Sequence, residues 1–297
     1  MQYRQLANTS LHISRIGFGC MSLKPGDANN SRLLQNAFDL GINYFDTADL
    51  YDHGQNEIIV GKALKEKRKE LLIATKVGNQ WKEDGSGWQW NPTKKYILQA
   101  VEASLQRLQT DYIDLYQLHG GTMEDPIHET IEAFELLVQQ GKIRYYGISS
   151  IRPVVIREWI QYSNALSVMM QYSLLDRRPE ESMLSFLQDH QKSVLVRGSL
   201  AQGLLAGKTP KPYLDHEAST VSKAAALVKE LSTSRTPAQT AQQFVLHHPA
   251  VTSAVTGIRN QQQLEEAVGT LTAPQLTPEE YHSLQNILPA NLYKEHR

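Results

Sequence analysis

Apolar, β-rich runs alternate with segments of helical spacing along most of the chain. The runs cover 16–21, 43–47, 71–77, 112–118, 143–149, 167–172, 194–197 and 251–256. Between them, apolar residues recur at the three-to-four spacing of a helix over 32–40, 57–66, 93–108, 127–140, 153–161, 179–191, 220–248 (with a break at Pro237) and 260–270. Gly41 and Gly141 stand just past helix ends, Asp125-Pro126 opens one helix, and the stretch from Ser150 to Pro153 opens another. A β-then-α unit repeated eight times predicts an α/β fold, a parallel (β/α)8 TIM barrel. Doubly wound open sheets share the local pattern, so the count of eight decides.

Two pieces fall outside the repeat. Residues 3–13 predict an N-terminal β-hairpin turning near Asn8-Thr9, and 276–288 predict an extra C-terminal helix opened by Thr277-Pro278-Glu279-Glu280. No linker or low-complexity stretch divides the chain, which predicts a single domain over 1–297.

Charge narrows the function. Lys plus Arg number 30 against 31 for Asp plus Glu, a net charge of −1, whereas proteins of nucleic acid or membrane surfaces usually carry a basic excess. The lone cysteine, Cys20, excludes an internal disulfide and a thiolate zinc cage, and fits a reducing compartment. The polar first ten residues lack a secretory core and no run approaches a membrane span, so a cytoplasmic protein is expected.

In such barrels function sits at the C-terminal strand ends. The second run leads into Asp46-Thr47-Ala48-Asp49-Leu50-Tyr51, the third ends at Lys76 and the fourth at His119. The fifth closes on Ser149-Ser150, the sixth on Gln171, the seventh on Arg197, and the eighth runs into Gly257 and Arg259. A free phenol ionises near pH 10, and each unit of lowering reflects roughly 1.4 kcal/mol of preferential phenolate stabilisation. Lys76 beside Tyr51 supplies that stabilisation, Asp46 keeps Lys76 charged, and His119 donates or accepts at the same substrate oxygen. The set suits protonation of a carbonyl oxygen while hydride arrives at carbon. Singly, Tyr51 reads as a surface tyrosine, Lys76 as a strand emerging into water, Asp46 as a loop opener and His119 as a structural histidine. Jointly, at neighbouring strand ends, they read as catalytic.

Asp46-Thr47-Ala48 followed by Tyr51, Gly61-Lys62-Ala63-Leu64, Ala74-Thr75-Lys76, Asp111-Tyr112-Ile113-Asp114-Leu115 with His119, and Gly147-Ile148-Ser149 resemble the aldo-keto reductase superfamily. The likeness keeps the family's order from Gly17-Phe18-Gly19 to Glu266, and it is closer to the bacterial branch related to potassium-channel β-subunits, because the adenine-side loop begins with Gly257. It implies an oxidoreductase that uses NADPH/NADP⁺ to reduce a small-molecule aldehyde or ketone, with the cofactor extended across the barrel mouth and no Gly-x-Gly-x-x-Gly loop. By matching positions, Tyr51 is the general acid, Lys76 and Asp46 its tuning pair, and His119 the group that orients the carbonyl. Ser149 and Gln171 hold the nicotinamide carboxamide, and Gly19, Cys20, Met21 and Asp46 border the cofactor. Gly198, Ser199, Leu200, Gln202, Gly203, Leu205 and Lys208 belong to a strap over the pyrophosphate. Gly257, Arg259, Gln263 and Glu266 face the adenine and its 2′-phosphate, where a helix N-terminus favours anions. No metal, nucleic acid or membrane is expected, and the chain is expected to be a monomer or a weak homo-oligomer.

Departures from the family pattern carry their own expectations. Ser150 replaces a common Asn, and Ala267 an Asn that touches adenine. His119-Gly120-Gly121-Thr122 replaces His-Trp-Pro-Asp, which is expected to open that side of the pocket. Arg197 takes the place of an aromatic that stacks on the nicotinamide. Trp81, Trp88 and Trp90 read as a long loop bordering the pocket, His247-His248 as a helix end beside Pro249, and 65–69 as a solvated helix end. The alternative function is an NADPH-binding, redox-sensing regulatory subunit acting on a protein partner; the presence of all four catalytic groups favours the enzyme.

Overall fold

A computed structural model describes residues 1–297. A hairpin, β1 (Tyr3–Gln5) and β2 (His12–Ser14), leads into β3 (Ile16–Gly19), α1 (Asn30–Asp39), β4 (Tyr44–Asp46), α2 (Gln55–Leu64) and β5 (Leu72–Val77). A second hairpin, β6 (Asn79–Trp81) and β7 (Trp88–Trp90), precedes α3 (Lys94–Leu108), β8 (Ile113–Leu118), α4 (Ile127–Gln139), β9 (Ile143–Ser149), α5 (Pro153–Tyr162) and β10 (Ser167–Gln171). Then come α6 (Met183–Asp189), β11 (Ser193–Arg197), α7 (Ala218–Glu230), α8 (Pro237–His247), β12 (Val251–Gly257), α9 (Gln261–Gly269) and α10 (Pro278–Asn286). Eight parallel strands close into a barrel in the order β10-β11-β12-β3-β4-β5-β8-β9, as the eightfold repeat predicts.

The chain divides into two compact units, one of Met1–Ile16, Met170–Thr256 and Asn260–Glu295, the other of Gly17–Met169, Gly257–Arg259 and His296–Arg297. In the second unit, β4, β5 and β8 are buried at every position, as expected of parallel strands covered on both faces. Behind β8 and β9, Phe134 of α4 packs its ring 5.6, 5.3 and 5.7 Å from those of Tyr116, Tyr146 and Trp159. Sealing aromatics of this size contributes about 2–3 kcal/mol each.

Arg68 corrects the reading of 65–69 as merely solvated. It is buried in a 3-10 segment, pairs with Asp114 at 2.7 Å and donates to the Tyr112 carbonyl at 2.7 Å, pinning the start of β8.

In the first unit, Thr236 and Gln239 cap the start of α8 reciprocally, and Thr277 and Glu280 do the same for α10. The helical pattern over 220–248 resolves into α7 and α8, separated ahead of Pro237. The segment 179–191 likewise splits into a 3-10 turn at Arg178–Glu181 and then α6. His248 ends α8 and accepts the Ala250 N–H at 3.1 Å, while His247 stacks on Tyr281 at 3.9 Å, so both histidines serve the helix end.

Candidate active site

The four residues expected to carry chemistry lie in one unit, on β4, β5 and the segments that follow β4 and β8. Lys76 Nζ reaches Asp46 Oδ1 at 2.5 Å and donates to the Thr47 carbonyl at 2.8 Å. Both side chains are buried, and Gln117 Nε2 donates to the other Asp46 oxygen at 3.3 Å. Burial works against the Lys76 ammonium, but Asp46 and the Tyr51 phenol more than offset it and hold its pKa above that of an ordinary lysine. Lys76 Nζ lies 5.3 Å from the Tyr51 ring centre, and the His119 ring meets Tyr51 edge-on at 5.9 Å and 83°. The structure thus brings acid, ammonium, phenol and imidazole together.

A buried scaffold fixes them. Thr47 Oγ1 donates to Asn56 Oδ1 at 2.7 Å, and Asn56 Nδ2 to the Cys20 carbonyl at 2.8 Å, tying the ends of β3 and β4 to α2. Glu57 accepts from Thr75 Oγ1 and Arg107 Nε, each at 2.6 Å, tying α2 to β5 and α3. His119 is held through its backbone, with N–H to the Val77 carbonyl at 2.7 Å and its own carbonyl accepting from Asn79 Nδ2 at 3.1 Å.

Sequence reading missed the hairpin β6–β7, treating it as loop. Its signal was present: Asp84-Gly85 is a turn pair, and Trp81, Trp88 and Trp90 follow strand alternation around it. The register pairs Asn79 with Trp90 and Trp81 with Trp88, so these four share one face. Trp81 Nε1 donates to the Leu50 carbonyl at 3.2 Å, and its ring stacks on His53 at 3.6 Å. Trp90 Nε1 donates to Asp125 at 2.7 Å. Its ring occupies the space beside Gly78 and Gly120; a Cβ on Gly120 would stand 3.2 Å from it. The space beside Gly120, expected to be open, therefore holds the ring of Trp90, a residue distant in sequence.

The turn after Tyr51 is strained. Asp52 and His53 hold φ of 48° and 54°, a left-handed conformation that costs a non-glycine residue roughly 1–2 kcal/mol.

The expected cofactor residues fall in both units. In the unit that holds the four catalytic candidates, Gly19 is half-buried and Met21 exposed, while Cys20 is fully buried. Ser149 is buried, and Ser150 Oγ accepts from the Arg152 N–H at 3.2 Å. Gly257 is exposed, and a Cβ there would stand 2.5 Å from Ser22 Oγ; Arg259 is exposed just ahead of Asn260, whose side chain caps α9 at Gln263 N–H, 2.9 Å.

In the other unit, Gln171 Nε2 donates to Asp176 at 2.8 Å and to the Tyr213 hydroxyl at 3.1 Å, and its Oε1 accepts from Arg197 Nη1 at 2.8 Å. Both amide protons are spent, so Gln171 retains only acceptor capacity toward a carboxamide. Arg197 thus reaches its neighbouring strand end. Gly198, Gln202 and Lys208 are exposed and Leu200 and Gly203 half-buried, whereas Ser199 and Leu205 are buried. Lys208 Nζ closes the strap by donating to the Gln202 carbonyl at 2.9 Å. On α9, Gln263 is exposed, Glu266 half-buried and Ala267 buried.

Comparison with known proteins agrees with this architecture. Residues 15–289 match the aldo/keto reductase family. An oxidoreductase of Bacillus subtilis (strain 168), YqkF, is 48% identical over an alignment of 309 residues covering both chains fully. An NADH-specific methylglyoxal reductase of Escherichia coli (strain K12) is 35% identical over 70% of each chain. Among solved structures, the aldo-keto reductase AKR11C1 from Bacillus halodurans in its holo form is 49% identical and superposes with a TM-score of 0.94 over 100% of this chain and 99% of its own; its apo form gives 0.86. The chain belongs to the aldo/keto reductase family, and so to the nicotinamide-dependent oxidoreductases that reduce carbonyl compounds.

Proposed function

We propose that this chain, acting as one barrel domain, reduces aldehydes or ketones to alcohols with Tyr51 as proton donor and with NADPH as the preferred cofactor. The observation that carries the reading is the buried Lys76–Asp46 pair beside the Tyr51 phenol. A lysine held charged there favours the phenolate, which eases departure of the phenolic proton near neutral pH. Tyr51 gives that proton to the substrate oxygen, and His119, edge-on to Tyr51, orients the same oxygen. Lys76 stays protonated throughout because Asp46 remains ionised opposite it.

The residues present fit a nicotinamide dinucleotide. Bare glycines stand at two strand ends, at Gly198 and Gly257, and Gln171 presents an acceptor for a carboxamide NH2. Bound there, the reduced nicotinamide supplies the hydride. Ser149 and Gln171 would hold its carboxamide, and the strap from Gly198 to Lys208 its pyrophosphate. The preference for NADPH rests on Arg259, an exposed guanidinium at the start of α9 that suits a 2′-phosphate, which NADH lacks. The E. coli relative's NADH specificity makes this a point to test.

Oxidation of NADPH and NADH measured against a panel of aldehydes, ketones and dicarbonyls tests the whole reading. Turnover with NADPH preferred by roughly ten- to a hundredfold is expected, and Arg259→Ala should shrink the preference by weakening NADPH. No turnover on any carbonyl, together with stoichiometric capture of a protein partner, would support the regulatory alternative.

A further inference from the structure

Three successive residues after Tyr51 take left-handed backbone conformations: Asp52 at φ 48°, His53 at 54° and Gly54 at 81°. Only the last is glycine, and a turn of this kind persists only where its surroundings over-determine it. One side chain from another element supplies two of the constraints. Trp81 stacks on the His53 imidazole at 3.6 Å and 20°, and its Nε1 donates to the Leu50 carbonyl at 3.2 Å. Tyr51 therefore sits between two points held by the same indole. Its own N–H donates to the Ala48 carbonyl at 3.2 Å, and Gly54 is pressed against Arg107, to which an added Cβ would come within 2.7 Å. The hairpin that carries Trp81 is anchored in turn by Asn79 on the His119 carbonyl and by Trp90 on Asp125.

We propose that Trp81 is the positioning residue for Tyr51, fixing the phenol relative to Lys76 and His119 by clamping the strained turn from outside. The inference rests on Tyr51 being the proton donor. It assigns Trp81 a role that a pocket wall lacks: its loss acts on proton transfer whatever the substrate's size. The indole N–H and the ring face are separable contributions. Trp81→Phe keeps the stack and removes the donor, and His53→Ala keeps the donor and removes the stack.

Steady-state kinetics of Trp81→Phe, His53→Ala, Tyr51→Phe and the Trp81→Phe/Tyr51→Phe double variant, each with its cofactor dissociation constant, test the proposal. Displacing a reacting group slightly is enough to lower kcat at least about tenfold in Trp81→Phe. The pH at which kcat declines should move in the same variant, with substrate KM and cofactor affinity within about twofold of the original protein. Because Trp81 acts through Tyr51, the double variant should be no slower than Tyr51→Phe alone. His53→Ala should show the same kinetic signature more weakly. Retained turnover in Tyr51→Phe would overturn the donor assignment and this inference with it. Lost turnover in Tyr51→Phe with an unchanged rate and pH profile in Trp81→Phe would overturn the inference alone. So would a change confined to KM that varies with aldehyde size, or fully additive losses in the double variant.

Discussion

Lys76 and Asp46 meet at 2.5 Å with side chains only 1% and 6% exposed, so each charge depends on the other for compensation. Asp46→Asn leaves an ammonium buried without its acid and should cost about 3–5 kcal/mol of stability. The sign of the pH effect follows from the raised Lys76 pKa. Its stabilising contribution is complete below the ordinary lysine range and is lost as pH rises through the folded-state value. Without Asp46, burial opposes the charge with only Tyr51 to offset it, so kcat should fall at lower pH than in the original protein, while the stability deficit should be largest where Lys76 is charged and shrink as pH rises and the lysine is neutralised. Thermal unfolding and kcat measured across the alkaline range check this.

The phenol itself is the sharper test. Tyr51→Phe removes one oxygen proposed to act only in chemistry, so carbonyl reduction should fall by at least about 10²-fold while cofactor affinity barely changes. Lys76→Met should behave alike, since an uncharged neighbour leaves the phenol untuned. Stopped-flow or steady-state rates alongside a cofactor-binding titration separate the two effects.

Asp49 gives a prediction about stability rather than rate. It is buried, its Oδ1 has no hydrogen-bond partner, and burial first, then Glu57, pushes its carboxyl well above the usual range. Arg107, the Leu50 N–H and Lys76 pull the other way, and Tyr96 faces it with a neutral hydroxyl. An acid with a raised folded-state pKa favours the fold most below its ordinary pKa, and that contribution drains away as pH rises through the folded value. Asp49→Asn stays neutral throughout. Its melting temperature should exceed that of the original protein by about 2 °C or more at pH 8, with the gap closing toward pH 4. A gap independent of pH would show that Asp49 is charged in the fold.

The barrel was legible in the sequence because its strands are largely buried on both faces and read as continuous apolar runs, and a segment of three-to-four spacing stood between each pair of runs. Asp46, Lys76 and His119 were legible for a related reason. Each is a polar residue at the end of such a run, where an apolar strand gives no cause for one. What sequence did not show depends on contacts between distant segments. Arg68 reads as part of a charged, solvated run until Asp114 is placed beside it, and Gly120 reads as a gap until Trp90 is placed in it. The Gln171 amide likewise reads as free for a ligand until Asp176, Tyr213 and Arg197 are seen to engage it.

Trp90 carries a prediction about pocket size. Gly120 holds φ of 143° with the Trp90 ring against it, so Gly120→Trp should destabilise the protein rather than narrow the pocket. Trp90→Ala also destabilises, but it empties the space beside Gly78 and Gly120 and breaks the bond to Asp125. Relative activity on branched or bicyclic aldehydes over propanal should rise in that variant. An unchanged ratio with lower stability would mean that Trp90 supports the loop without bounding the substrate.

Arg197 stands one hydrogen bond from the proposed carboxamide site, with Nη1 on Gln171 Oε1 at 2.8 Å. That placement would make it sensitive to the charge of a nicotinamide held, as proposed, by Gln171. The oxidised ring is a cation and the reduced ring is neutral, so the guanidinium opposes only the oxidised form. One side chain's separation in a partly solvated site leaves about 1 kcal/mol of such repulsion. Arg197 should therefore favour NADPH over NADP⁺ and assist release of the oxidised cofactor. Removing it also frees the Gln171 oxygen for the carboxamide, which strengthens both forms alike and so cancels in their ratio. With both dissociation constants measured, Arg197→Ala should lower the NADP⁺ to NADPH ratio by about fivefold. A ratio that stays constant while both constants weaken would place the guanidinium on the pyrophosphate instead.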